Sequence, residues 1–227
     1  MAQQHRAQST RQELIRSAAE VFHRCGYADS SITTISSRAA VSNGALHFHF
    51  KSKRALGEAV EAAAAHKLLC LTGPVPLRHP DPLRHLVDTS EALAREIKGD
   101  AVLRGGFSLC DDAGWHGGVD LWEQWHDWVH LMLTVARDRG GLAPDVDLAD
   151  AGSAITAAVA GFAVLSRKQS RASSPRAVSG FWRLMLPRLA ADGMRRQAAA
   201  ERTAPVLWPA EGSPERCWEL EGACGVA

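Results

Sequence analysis

Apolar positions recur at helical spacing along most of the chain, and nowhere do they alternate with polar ones over a strand's length. Thr10-Arg11-Gln12-Glu13 reads as a capping box, with Thr10 as N-cap. Leu14, Ala18, Val21 or Phe22, and Cys25 then share one helical face up to Gly26, a natural stop. A short helix is predicted from about Ile32 behind Ser31, and a second after Ser42 to about Phe50. Ser52 is placed to cap a long alanine-rich helix over 53–70. The stretch from Gly73 through Pro82 breaks that helix. Beyond it, helices are predicted over 82–98, 100–111, 119–139, 148–167 and 175–196, with no internal repeat. After Ala200, Pro, Gly and Glu accumulate and periodicity fades. The expected fold is all-α. A three-helix N-terminal domain with a helix-turn-helix (1–52) is joined by helix 53–70 to a larger helical domain (53–199), followed by an irregular tail (200–227).

The 46% hydrophobic content of the 227 residues is ordinary for a chain with a real core. No apolar run approaches the roughly 20 residues of a membrane span, Ala151 to Leu165 coming nearest, and Met1 to Arg11 lacks the apolar segment of a signal peptide. A cytoplasmic protein is expected. The five cysteines are scattered with no CxxC pair, which argues for incidental thiols rather than a disulfide framework or zinc knuckle. Charge is uneven: residues 1–55 hold eight Lys/Arg and three acids, so against +1 overall the remainder carries −4. A basic front end on an acidic body suits a polyanion-binding head.

Residues 32–56, ITTISSRAAVSNGALHFHFKSKRAL, carry the chemistry. Two short helices need their own small core, and Ile32, Ile35, Ala39, Val41, Leu46, Phe48 and Phe50 are candidates for it. The second helix keeps a small, polar face of Ser42, Asn43, Gly44, Ala45, His47 and His49, which Thr33 of the preceding helix joins. Small residues admit a helix into the major groove, and Ser, Asn and His reach phosphates or base edges. Lys53 and Arg54 sit in the first turn of the next helix, where cations oppose the helix dipole. A docked phosphate accounts for them, and no folding role is evident from sequence.

The segment 10–60 resembles the helix-turn-helix of the TetR family, including the ending Phe48-His49-Phe50-Lys51-Ser52-Lys53. The resemblance implies a homodimeric repressor of double-stranded operator DNA. Two departures stand out. Ala40 occupies the turn position usually held by glycine, and His47 replaces a tyrosine that contacts the DNA backbone. GALHFHF, with a tryptophan early in the long central helix, looks like the γ-butyrolactone receptor branch and its antibiotic-sensing relatives, which control secondary metabolism. By order along the helix, that branch's pocket tryptophan maps onto Trp125.

Without the analogy, Trp122, Trp125, Val129 and Met132 form an apolar stripe that Trp128 and Leu131 widen. Indoles suit a lactone or polycyclic ligand, although such stripes also serve simply as core. Phe107, Trp115, Phe162 and Leu165 are further candidates. Ala62 to Ala65 and Phe162 stand where the branch tends to place polar groups, so an antibiotic or biosynthetic intermediate is as good a ligand as a butyrolactone. His126 and His130 have metal-ligand spacing with no third ligand nearby, so no metal is expected. No GxSxG, Walker or dinucleotide motif is present, and neither an enzyme nor a cofactor is expected. Asp111-Asp112 are neighbours that do not face one another on a helix.

The last two helices are the expected dimer interface, through Ala154, Ile155, Ala158, Val159 and Phe162 on one and Val178, Phe181, Trp182, Met185 and Leu189 on the other. Such a dimer sets its heads about 34–36 Å apart on a palindrome. The expected mechanism is release from DNA when a ligand near Trp125 shifts the helix leading to residue 70. A ligand-independent regulator, and an enzyme or carrier using the body pocket, are the alternatives.

Overall fold

The computed structural model describes residues 2–73, 80–167 and 177–191. These hold nine helices: α1 (Ala2–Cys25), α2 (Ile32–Arg38), α3 (Asn43–His49), α4 (Lys53–Thr72), α5 (Pro82–Gly99), α6 (Ala101–Cys110), α7 (Leu121–Asp138), α8 (Leu148–Arg167) and α9 (Ala177–Leu189). The all-α expectation holds, and the region from 200 on lies outside the described residues.

Local chemistry starts each helix. Ser31, Ser42 and Ser52 accept the backbone N–H of Thr34, Ala45 and Ala55 at 3.0–3.1 Å, satisfying a donor that the first turn would otherwise leave unpaired. Asp81, Asp100 and Asp120 do the same for α5, α6 and α7. The expected start of α1 was wrong. The helix begins at Ala2, and Thr10 Oγ1 donates to the carbonyl of Arg6 from inside it (3.0 Å). Glu13 pairs with Arg16 and accepts from Ser17 instead of closing a capping box. Ala2, Gln3, Gln4, Arg6, Ala7 and Gln8 ahead of Thr10 are good helix formers, so nothing stops the helix there.

Two apolar cores result. The head core gathers Leu14, Ala18 and Phe22 of α1, Ile35, Leu46, Phe50, and Leu56 and Val60 of α4, and it also takes in Leu109 and Trp115 from the body. The body core runs from Ala64 and Leu68 of α4 through α5–α9. Helix α6 lies against both α1 and α4. A Cβ on Gly105 would sit 2.6 Å from the Ala19 backbone, so only glycine permits this approach.

Helix α8 is long and apolar enough, by length and composition, to cross a membrane. The expectation that no run came close therefore needs amending. Its buried residues, Ile155, Val159 and Ala163, pack in the body core. The expected dimer face is also corrected. Ile155, Val159, Val178, Trp182 and Leu189 are buried within the protomer. Of that face Ala154 is exposed and Ala158, Phe162, Phe181 and Met185 are half-buried; the outward side of α8 adds Ala157 and Val164, and Leu184 of α9 is 77% exposed. Both sets recur at helical spacing, and spacing alone does not say which face looks inward. Among the described thiols, Cys25 and Cys110 are free.

Candidate nucleic-acid interface and ligand core

The turn between α2 and α3 is closed by the N–H groups of Ala39, Ala40 and Val41, which donate to the carbonyls of Ile35, Ser37 and Ser36. Closing it that tightly forces Ala40 to φ +54°, the one positive φ outside glycine among the described residues. Alanine costs about 1 kcal/mol there. Asn43 ties α3 back to α2 through its Oδ1, 2.5 Å from the hydroxyl of the buried Ser36. Leu46 and Phe50 anchor α3 in the head core. Thr33, Ser42, Asn43, Gly44 and His47 are exposed, with Ala45 and His49 half-buried.

Two expectations fail in this motif. Phe48 is 76% exposed and takes no part in the core. With Leu46 and Phe50 directed inward, helical rotation carries Phe48 outward onto the edge of the His49 ring, 5.2 Å away. Lys53 does have a folding role. Its ammonium donates to the carbonyls of Tyr27 (2.8 Å), Ala28 (3.1 Å) and Ser30 (3.0 Å) and lies over the Tyr27 ring. Its three protons thereby tie down the loop between α1 and α2. Arg54 pairs with Glu58 and donates to the carbonyl of His116 (3.1 Å).

That last contact belongs to a junction that sequence reasoning missed. The segment between α6 and α7 runs across the head. Asp112 accepts the Tyr27 N–H (2.6 Å), the Trp115 ring lies 4.6 Å from that of Tyr27, and Trp115 Nε1 donates to Glu61 Oε1 (2.9 Å). A cleft of about 300 Å³ opens beside Glu61, lined also by Cys110, Val119 and Asp120. Burial pushes the Cys110 thiol up to about 11, so it is protonated at neutral pH.

In the body, Trp125, Val129, Met132 and Phe107 are buried with Trp128, while Trp122 and Phe162 pack on the same cluster from its edge. Trp125 stacks on Trp128 (5.1 Å, 24°), and Phe107 meets Trp122 at 4.3 Å. Trp122 Nε1 donates to Asp111 (3.2 Å). The indole N–H groups of Trp125, Trp128 and Trp182 have no hydrogen-bond partner among the described residues. Each such donor costs about 1–3 kcal/mol unless an acceptor is supplied. Trp182 was assigned to the dimer face on spacing alone, and its 1% exposure places it here. Ala64 and Ala65 close this core with no polar group of their own. His126 Nδ1 lies 3.3 Å from Thr156 Oγ1, linking α7 to α8.

The sequence pattern of bacterial regulatory proteins of the tetR family matches residues 14–60. Over 218 residues the chain is 31% identical to the A-factor receptor protein of Streptomyces griseus, an alignment spanning 95% of this chain and 76% of that protein. The chain belongs to the TetR family. Among solved structures, this TetR-family protein is similar to a γ-butyrolactone receptor described as ArpA-like (TM-score 0.74, 24% identity, 88% of this chain and 100% of the other). It is also similar to CprB of Streptomyces coelicolor (TM-score 0.72, 25% identity, 85% and 95%). These likenesses, with the A-factor receptor, put it in the γ-butyrolactone receptor branch.

Proposed function

We propose that this TetR-family protein is a ligand-responsive transcriptional repressor that binds a palindromic operator as a homodimer and leaves it when a small hydrophobic ligand fills the body. The carrying observation is the exposed face of α3. It offers Ser42, Asn43, Gly44, Ala45, His47 and His49, with Thr33 beside them, while Leu46 and Phe50 hold the helix in place. CprB, a relative in the same branch, has been solved with its operator. Lys53 supports the interface by fixing the α1–α2 loop, and its own phosphate contact is left to the backbone N–H at the start of α4.

For the ligand, the indoles of Trp125, Trp128 and Trp182, without a hydrogen-bond partner among the described residues, favour an apolar molecule carrying neutral acceptors, such as a lactone or a polyketide-like antibiotic or intermediate. Trp122, Val129, Met132, Phe107 and Phe162 complete the proposed lining. Residues 1–52 form the DNA-binding domain and 53–199 the ligand and dimer domain, with dimerisation through the outward face of α8 and α9. The protein works in the cytoplasm, as a regulator and without catalysis.

The test is binding of the purified protein to its own upstream DNA at stated salt, with and without extract from the producing culture. Specific binding that the extract abolishes is expected. Binding that no extract fraction disturbs, with tryptophan fluorescence unquenched throughout, would instead establish a ligand-independent regulator.

A further inference from the structure

Glu61 is 3% exposed on α4, and no basic side chain pairs with it among the described residues. Its carboxylate is satisfied by two neutral donors, Trp115 Nε1 (2.9 Å) and the Gly118 N–H (3.2 Å). A buried carboxylate held by so few partners is costly to strip of either one. Both donors belong to the segment between α6 and α7, and the segment is shaped around them. A Cβ on Gly117 would fall 1.8 Å from Glu61 Oε1, and one on Gly57 would fall 2.4 Å from the Trp115 ring. The same segment grips the head through Asp112 and the Tyr27 N–H (2.6 Å). At its other end it runs straight into α7, where Trp122 Nε1 donates to Asp111 (3.2 Å).

We propose that Glu61 and Trp115 are positioning residues for operator recognition: their buried hydrogen bond fixes the angle of the reading head on the body. This rests on the repressor reading above. A palindrome is read by two heads at once, so its half-site spacing is read through whatever sets each head's angle. The body reaches the head core here through Trp115, and the cleft of about 300 Å³ beside Glu61 gives the segment room to move once the bond is lost.

Two variants test it. Trp115→Phe keeps a ring against α4 and removes the N–H, and Glu61→Gln leaves one acceptor oxygen for two donors and sets its NH2 group against the other. Binding is measured to a palindrome selected from random sequence, to the same palindrome with a central insertion of about two base pairs, and to one half-site. Each variant is expected to lose about tenfold of the preference for the native spacing, with half-site affinity changed less than about twofold, and the double variant no worse than either single one. An unchanged preference, or an equal loss on all three duplexes, overturns the proposal. Should the variants fail to fold, amide exchange on the wild-type protein decides. The Gly118 and Tyr27 amides are expected to be as protected as the core of α4, and loop-like exchange overturns the assignment. If the wild-type protein selects no palindrome, the repressor reading fails, while the exchange measurement still judges the positioning role.

Discussion

In the head, the N-termini of α2, α3 and α4 are capped by Ser31, Ser42 and Ser52; in the body, those of α5, α6 and α7 are capped by Asp81, Asp100 and Asp120. Either side chain satisfies the first-turn donors about equally well, and aspartate adds a favourable charge at the positive end of the helix. Stability alone therefore gives no reason for the head to use serine. A phosphate backbone does, because a carboxylate at the tip of the reading helix would repel it. The cores differ as well. The indole in the head core, Trp115, has its N–H paired with Glu61, whereas the body holds three indoles whose N–H groups have no partner among the described residues. The head core satisfies its indole with its own residues, and the body's open donors are what the proposed ligand would satisfy.

The strongest test of the contrast is Trp125→Ala. Trp125 is fully buried and stacked on Trp128, so its loss should cost about 3–5 kcal/mol in denaturant unfolding. Ligand-driven release should vanish with it, while the folded fraction should still bind operator DNA. Retained ligand binding would reduce Trp125 to a packing residue and remove the functional side of the comparison.

The cap swap comes next. Ser42→Asp should leave thermal stability within about 0.5 kcal/mol, since the cap survives. Operator affinity should fall by about tenfold or more in a titration at low salt, with the loss shrinking as salt rises. The reverse exchange in the body, Asp100→Ser, should leave operator binding as it was. Equal losses from both would mean that the serines are not there for DNA.

Gly105→Ala probes how the two regions meet. The new methyl would press on the Ala19 backbone at 2.6 Å, which neither helix relieves by rotating a side chain. A cost of about 1–3 kcal/mol is expected from overpacking, read as a lower denaturant midpoint. Operator affinity should drop too, because α1 carries the head.

Much of the head was legible in sequence because its determinants are local. Ser31, Ser42 and Ser52 each act three residues downstream, and Ala40 stood out because the TetR resemblance implies a glycine at that place in the turn. Phe48 escaped because alternate residues on a short helix compete for the inside, and only the packing against α1 and α4 shows which wins. The body's helices were legible, but not which way they face. Ile155 and Trp182 have the spacing of an interface and the burial of a core. The junction left no sequence signal beyond a run of glycines, since Glu61 and Trp115 meet across 54 residues of chain.

Ala40→Gly sharpens the comparison in the stabilising direction. Relief of the φ +54° strain outweighs glycine's greater unfolded-state freedom, for a net gain of about 0.5–1 kcal/mol, visible as a higher melting temperature. A loss would mean that the methyl group packs more usefully than the exposed position suggests.

The smallest change in stability should come from Phe48→Ala. A phenyl group 76% exposed contributes little to a core it does not enter, so unfolding should shift by less than about 0.5 kcal/mol. An exposed ring of that size nevertheless has a cost in hydration, and Phe48 stands between His47 and His49 of the proposed reading face. Operator affinity should therefore fall in Phe48→Ala while the melting temperature stays put, and half-sites with thymine facing the ring should lose most, because the thymine methyl is the apolar feature of the major groove. If stability and affinity fell together, Phe48 would belong to the folding of the head after all. The sequence-based assignment of this residue to the core would then be the better one.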